Sequence, residues 1–205
     1  MEQARLAELL ASKLCHDFMG PMTAMMHGLE LIKQDVGDQE ALSLLENGLV
    51  KAHAKLDFYR HALGGALGGE GEAPLSAGHA AAQALYATFK AKLDWQGPDL
   101  NLPRAAIRVV LNILMIANDC LPKGGTVTLT AEGGEIRVTA VGDRVKLRAD
   151  AAAGLTGAFA EDGYQSLNVQ PFLTALLARQ AGIEIDMRTP EGRVEFGLKS
   201  PLFVS

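Results

Sequence analysis

Cysteine is scarce in this chain, which has two cysteines among its 205 residues. Cys15 and Cys120 form no spacing motif, so we interpret both as free thiols of a cytoplasmic protein. The histidines show no metal-ligand spacing with cysteines or carboxylates, and we therefore expect no metal site on this chain. The histidines are His16, His27, His53, His61 and His79.

Long apolar runs and basic clusters are missing as well. No segment is apolar enough to span a bilayer and none has the pattern of a signal peptide, so we expect no membrane partner. The net charge of −5 comes without a basic run or stripe, so nucleic acid is not an expected partner either. The hydrophobic content of 48% is enough for a real core, and the length predicts one or two domains.

The first part of the chain shows two helical patterns separated by a short break. Helix one is predicted over 2–36 and helix two over 39–63, with Gly37 in the break and Asp38 as the N-cap of helix two. One hairpin cannot bury both apolar seams, but two copies forming a four-helix bundle can, so we expect a homodimer. The seam residues are Ala7, Ala11, Leu14, Phe18, Pro21, Met25, Leu29 and Ile32 in helix one, and Leu42, Leu45, Leu49, Ala52, Leu56, Tyr59 and Leu63 in helix two.

His16 lies near the pole of helix one opposite the seam, so its imidazole is expected to face solvent or a partner. Equal distances from the turn place it level with Phe58 and Tyr59. Lys55 and Arg60 then add positive charge around His16, or they belong simply to a solvated charged face. The expected exposed neighbours of His16 are Leu9, Ser12, Lys13, Met19, Gly20, Thr23 and His27.

The second part of the chain alternates helical and strand patterns. Pro103 suits the first turn of a helix and Asn101 its cap, while Gly133-Gly134 marks a hairpin. Helices are predicted over 75–92, 103–121 and 168–181, and strands over 93–95, 126–131, 135–141, 183–188 and 193–198. We therefore predict an α+β protein with a helical hairpin (1–64), a Gly-rich linker (65–74) and an α/β sandwich (75–205).

One segment of helix one combines His16 and Asp17 with Pro21 and a following Met22-Thr23. Singly, such residues are ordinary, since a surface histidine is usually only solvated and a proline often only kinks a helix. Together they closely resemble the H-box of sensor histidine kinases, and the resemblance implies that His16 is the phosphorylated residue. A neutral imidazole is a good nucleophile near pH 7, and Asp17 could hold one ring nitrogen as a donor or take up its proton.

The second half resembles the ATP-binding domain of the same kinases at the helix 110–117 and at the turn Pro122-Lys123-Gly124-Gly125. Three departures stand at the nucleotide boxes. Ile116 stands where the kinases carry a Mg²⁺-binding asparagine. Gly142 stands in place of the adenine-binding aspartate, and Arg144 and Lys146 stand in place of glycines. Residues 164–167 stand in place of the glycine-rich lid. Apolar or bulky side chains cannot take over these roles, so we expect this domain to keep the fold of the kinase domain but not to bind ATP.

An H-box hairpin joined to such a domain resembles the ChpT-type histidine phosphotransferases of bacterial phosphorelays. The resemblance implies a dimer that takes a phosphoryl group from the receiver domain of a hybrid histidine kinase and passes it to response-regulator receivers. It implies no cofactor here, because Mg²⁺ belongs to the receiver. The expected receiver-docking residues are Ser12, Lys13, Met19, Gly20, Thr23, Lys55 and Tyr59.

Three alternatives stay open at this point. The chain could be an atypical histidine kinase that still binds ATP, or a non-catalytic dimeric scaffold of a two-component system. Gly20 could serve docking, or it could merely ease a bend before Pro21. A phosphatase activity is not expected, because Gly20 stands where phosphatase-active kinases carry Thr or Asn.

Overall fold

The computed structural model describes residues 3–157, 165 and 168–203. The chain begins with an antiparallel hairpin of two helices, α1 (Gln3–Gln34) and α2 (Gln39–Ala62). Asp38 is the N-cap of α2, and its carboxylate accepts from the backbone N–H groups of Glu40 at 2.9 Å and Ala41 at 3.0 Å. This confirms the predicted break and cap, since an N-cap oxygen satisfies donors that have no partner within the helix.

Two glycines let the hairpin helices approach closely. A Cβ built on Gly28 of α1 would lie 2.8 Å from the carbonyl oxygen of Ala41. A Cβ built on Gly48 of α2 would lie 2.9 Å from the carbonyl oxygen of Pro21 and 2.6 Å from Cγ of Met25. The crossing of α1 and α2 therefore requires the absence of a side chain at both positions.

A five-stranded mixed sheet with helices packed on one face forms the second domain. Its elements are β1 (Glu72–Pro74), α3 (His79–Tyr86), β2 (Ala91–Trp95), β3 (Asn101–Pro103), α4 (Arg104–Asp119), β4 (Gly125–Glu132), β5 (Glu135–Val141), α5 (Ala149–Thr156), α6 (Val169–Gln180), β6 (Glu184–Arg188) and β7 (Arg193–Lys199). The strand order in the sheet is β2-β4-β5-β7-β6, with β2 parallel to β4 and the other neighbours antiparallel, and β1 and β3 form a separate antiparallel pair. Short 3₁₀ turns cover Leu75–Gly78 and Pro201–Phe203.

The core lies between the sheet and α4, the most deeply buried helix. Burial alternates along β4 and β5, so that alternate side chains such as Val127 and Val138 face the helices. Ile107, Leu111 and Leu114 of α4 are fully buried against this face. No helix among the described residues is both long and apolar enough to cross a membrane.

Polar side chains of α4 join the two domains at the end of α2. Asn112 is fully buried and donates to the carbonyl of Ala62 at 2.9 Å, while Arg108 donates to the carbonyl of Leu63 at 3.2 Å. Gln170 of α6 donates in turn to the amide oxygen of Asn112. The last carbonyls of a helix have no partner within it, so the second domain caps the hairpin.

Several local predictions need correction. The composition predicts a linker over 65–74, whereas Leu67 is 5% exposed and 72–74 pairs with β3. The helix predicted over 75–92 is a 3₁₀ turn, α3 and the start of β2, because 91–95 pairs in parallel with β4. Asn101 lies in β3 instead of capping a helix, because pairing with β1 holds this backbone extended, and Pro103 ends β3 as the N-cap of α4, so that α4 begins one residue after the predicted helix start.

Two further differences concern helices. Residues 149–156 form α5, which the sequence patterns do not predict. Leu9 is expected to be exposed but is 6% exposed. α1 contacts α6 of the second domain, and Lys13 borders the same small void as Gln170. The second domain therefore covers this part of α1, which the periodicity of α1 alone cannot predict.

Candidate functional site

His16 stands at the edge of a cleft between α1 and the second domain. Its side chain is 75% exposed, as its helical phase predicts. The cleft has a volume of about 450 Å³, enough for a group from a partner to reach the imidazole. Its walls are formed by Lys13, His16, Asp17, Phe89, Lys90, Asn118, Asp119, Leu121, Pro122 and Arg148.

Asp17 lies beneath the imidazole with its two carboxylate oxygens in different roles. Oδ2 accepts hydrogen bonds from Nζ of Lys13 at 2.9 Å and from the hydroxyl of Tyr59. Oδ1 faces Nδ1 of His16 at 3.5 Å, which is longer than an ordinary hydrogen bond. Contacts of this kind often tighten only when a partner is bound. The arrangement turns Nδ1 of His16 toward Asp17 and leaves Nε2 for a reaction partner.

Pro21 explains a second contact to Asp17. A proline has no N–H, so the carbonyl four residues earlier in a helix loses its usual donor. That carbonyl is the one of Asp17, and Nζ of Lys55 donates to it at 2.7 Å. Lys55 therefore supplies from α2 the hydrogen bond that Pro21 removes from α1.

The ionisation of this cluster follows from burial and charge. Burial acts to raise the pKa of Asp17, but the hydrogen bond from Tyr59 and the charge of Lys13 outweigh it, so the pKa lies below the usual 3.8. Burial, together with the neighbouring carboxylate of Asp17, raises the pKa of Tyr59. Burial lowers the pKa of Lys55. At neutral pH the cluster thus holds an ionised Asp17 and a protonated Tyr59.

The expected docking residues divide into two groups. Met19 is 63% exposed, and a Cβ built on Gly20 would meet no atom within 4 Å, so both are accessible beside His16. Ser12 and Thr23 are exposed as well. Lys13 and Lys55 are half-buried and hydrogen-bonded to Asp17.

The expectation for Tyr59 is wrong, because its side chain is 4% exposed and lies beneath Asp17 instead of on a docking surface.

Arg60 also differs from the expectation of positive charge around His16. Its side chain is 62% exposed and pairs with Asp57 at 3.6 Å on its own helix. Exposed pairs of this kind stabilise a protein little. Arg60 therefore belongs to the solvated face of α2, while Lys55 belongs to the site.

The sequence patterns miss the wall of the cleft that the second domain supplies. Phe89 and Lys90 come from the connection after α3, Asp119 from the end of α4 and Arg148 from the start of α5. Burial raises the pKa of Asp119 above its usual value, while the positive charges of Lys13 and Arg148 act against this rise. No local motif marks these residues, since only the docking of the domains brings them to His16.

At the described positions that match the kinase nucleotide boxes, the structure leaves little space. Ile116 and Lys146 border a void of about 20 Å³, close to the space of a single water molecule. A Cβ built on Gly142 would lie 2.5 Å from the carbonyl oxygen of Gly124, so an aspartate does not fit there without backbone movement. The predicted departure at 164–167 lies outside the described residues, except for Gln165.

Comparison with known proteins identifies the family. The family model described as the histidine phosphotransferase C-terminal domain matches residues 77–193, more than half of the chain. This chain belongs to the histidine phosphotransferase family. It is 30% identical over 197 residues to the protein phosphotransferase ChpT of Brucella abortus (strain 2308), with 93% of each sequence covered. The ChpT-type resemblance of the sequence is thereby confirmed.

One solved structure supports this assignment. A structure described as a bacterial phosphotransferase has a TM-score of 0.87 and 27% identity, and covers 97% of this chain and 98% of that one. A histidine kinase domain from Erythrobacter litoralis EL346 aligns with a TM-score of 0.48 and 17% identity over 88% of this chain and 96% of that one. The predicted fold class, a helical hairpin followed by an α/β domain, is confirmed.

Proposed function

We propose that this histidine phosphotransferase accepts a phosphoryl group on His16 from the aspartyl phosphate of a receiver domain and returns it to the aspartate of another receiver. The observation that carries the proposal is the pair of His16 and Asp17 at the edge of the cleft. The imidazole is 75% exposed, and its Nδ1 faces a carboxylate at 3.5 Å. A nitrogen directed away from Asp17 is thus available to a large partner.

The lone pair of Nε2 attacks phosphorus, the bond between phosphorus and the receiver's aspartate breaks, and its electron pair leaves with that carboxylate. The ring becomes positively charged and keeps its proton on Nδ1, where the carboxylate of Asp17 stabilises it. Transfer to the next receiver is the reverse reaction. Mg²⁺ and the remaining charge neutralisation come from the receiver.

We propose further that the second domain works without ATP. A ligand pocket of drug-like size has a volume of roughly 300–1,000 Å³, whereas the void at Ile116 and Lys146 has about 20 Å³. Calorimetry with Mg-ATP at about 1 mM should detect no binding, since that concentration reaches the weak end of the affinity scale. A stoichiometric binding signal would favour an atypical kinase instead.

Homodimerisation is the third part of the proposal. Six of the large apolar side chains that the hairpin leaves exposed are candidates for a dimer seam, and the three of these on α2 repeat every seven residues, as in the seam of a helical bundle. They are Met22, Met26 and Leu29 of α1 and Leu42, Leu49 and Leu56 of α2. A second hairpin that covers them would complete a four-helix bundle.

A transfer assay tests the central proposal. The protein is mixed with each of a panel of labelled, phosphorylated receivers, and the label is followed with time. The wild type and His27→Gln should be labelled, whereas His16→Gln should fold and not be labelled. Labelling of His16→Gln at the wild-type rate would refute His16 as the acceptor. Failure of the wild type with every receiver would favour a non-catalytic scaffold.

A further inference from the structure

Three side chains converge on Asp17 from below and from the side. Lys13 at 2.9 Å and the hydroxyl of Tyr59 both donate to Oδ2, and Lys55 donates to the backbone carbonyl at 2.7 Å. Oδ1, the oxygen that faces His16, receives neither of the two side-chain donors. The contacts therefore distinguish the two oxygens of a single carboxylate.

The donors are held firmly in place. The ring of Tyr59 packs between Phe18, with ring centroids 6.3 Å apart, and Phe58, also at 6.3 Å. Lys13 is 16% exposed, although a surface lysine one turn from His16 could extend into solvent. A rigid donor beneath a carboxylate fixes its rotamer, because rotation of the carboxylate would leave the buried hydroxyl without an acceptor.

We propose that Lys13, Tyr59 and Lys55 form an Asp17 clamp, a set of positioning residues that keeps Oδ1 aimed at Nδ1 of His16 and thereby keeps the proton of the neutral imidazole on Nδ1. This inference rests on the proposed function, in which Nε2 of His16 is the nucleophile. An imidazole can attack only through the nitrogen that carries no proton. The clamp thus increases the fraction of His16 ready to accept the phosphoryl group.

The two parts of the clamp act on different atoms. Lys13 and Tyr59 set the orientation and charge of the carboxylate, and the low pKa of Asp17 agrees with this role. Lys55 acts on the main chain, because it satisfies the carbonyl that Pro21 leaves without a helical donor. Asp17 is thereby fixed at its backbone and at its side chain.

Tyr59→Phe tests the clamp, because it removes one hydroxyl and keeps the ring. The ¹⁵N spectrum of histidine-labelled protein, with the His16 signals assigned by their loss in His16→Gln, reports which ring nitrogen is protonated above the titration range of histidine. We expect a predominantly Nδ1-protonated ring in the wild type and a mixture in Tyr59→Phe. Phosphotransfer to His16 should slow about tenfold, the loss expected for one hydrogen bond to a charged group.

Tyr86→Phe is the matched control. Tyr86 is also buried and its hydroxyl donates at 2.6 Å, but to the carbonyl of Leu114 in the second domain. This variant should keep the tautomer and the transfer rate of the wild type. A Tyr59→Phe protein with the wild-type tautomer and rate would overturn the clamp.

Lysine variants provide a second test, which stands even if Tyr59→Phe fails to fold. Lys13→Met removes the other donor to Oδ2 and should shift the tautomer in the same direction. Lys55→Met should slow transfer, whereas Lys51→Met, one turn earlier on α2 and exposed, should not. Unchanged tautomer and rate in Lys13→Met would refute the clamp. Labelling of His16→Gln would refute the proposed function itself.

Discussion

Gly28→Ala should destabilise this protein although alanine is the better helix former. The added Cβ would lie 2.8 Å from the carbonyl oxygen of Ala41, 3.0 Å from the backbone nitrogen of Leu45 and 3.2 Å from its Cβ. Even close contacts between carbon and oxygen are about 3.3–3.6 Å long. α1 and α2 must therefore separate by about 0.5 Å, because no flexible side chain end can move aside.

Gly20→Ala on the same helix isolates the steric cost. Both substitutions gain about 1 kcal/mol of helix propensity, but the Cβ at Gly20 would meet no atom within 4 Å. Overpacking costs about 1–3 kcal/mol. We therefore expect Gly20→Ala to be stabilised by about 1 kcal/mol and Gly28→Ala to be destabilised by about 1 kcal/mol, since a steric cost of about 2 kcal/mol exceeds the gain.

Urea unfolding measured by circular dichroism gives the difference directly, and thermal unfolding should separate the two variants by about 4–8 °C for a chain of this size. The wild type should fall between them. Equal stability of Gly28→Ala and Gly20→Ala would refute the close helix crossing, because the gain in propensity is the same for both.

Four further outcomes are expected. Gly20→Leu should fold but block phosphotransfer in the receiver assay, because the open space at Gly20 lies one turn from His16. Leu49→Glu should yield monomers in analytical ultracentrifugation, whereas Val141→Glu, equally an exposed apolar residue but in β5, should not. Asn112→Ala should lower the free energy of unfolding in urea by about 2–3 kcal/mol, because two buried partners lose their hydrogen bonds. The pKa of Asp17 is lowered on folding, so the stabilisation by its carboxylate is present above pH about 4 and is lost as the pH falls below it. The difference in free energy of unfolding between wild type and Asp17→Asn should therefore shrink only below pH about 4.

The elements that depend on neighbouring residues could be predicted from the sequence. Asp38 caps α2 through contacts within three residues, and the hairpin of β4 and β5 turns at a pair of glycines. The strand at 72–74 could not be predicted, because its only signal is a partner about thirty residues away. A three-residue strand has too little pattern of its own to outweigh a Gly-rich composition.

Part of the candidate site could be predicted from the sequence, and part could not. His16 and Asp17 follow from one local motif, and the level of Tyr59 follows from counting along an antiparallel hairpin. The burial of Tyr59 does not follow, because it depends on how Phe18 packs against it across the hairpin. The glycines at the helix crossing read as helix-weakening residues in the sequence, and only the distance between the helices explains them.

The second domain has physical reasons to persist that involve no nucleotide. Its Asn112 and Arg108 cap the last carbonyls of α2, which a hairpin ending at Ala62 would leave without donors. Its Phe89 and Lys90 form the wall of the cleft opposite His16. A domain that holds the hairpin and completes the cleft must keep its fold, whereas nothing in these contacts requires the residues that bind ATP. At the buried position 116, an isoleucine is then favoured over an asparagine. Burying an amide without a hydrogen-bond partner costs free energy, whereas burying the isoleucine side chain stabilises the fold.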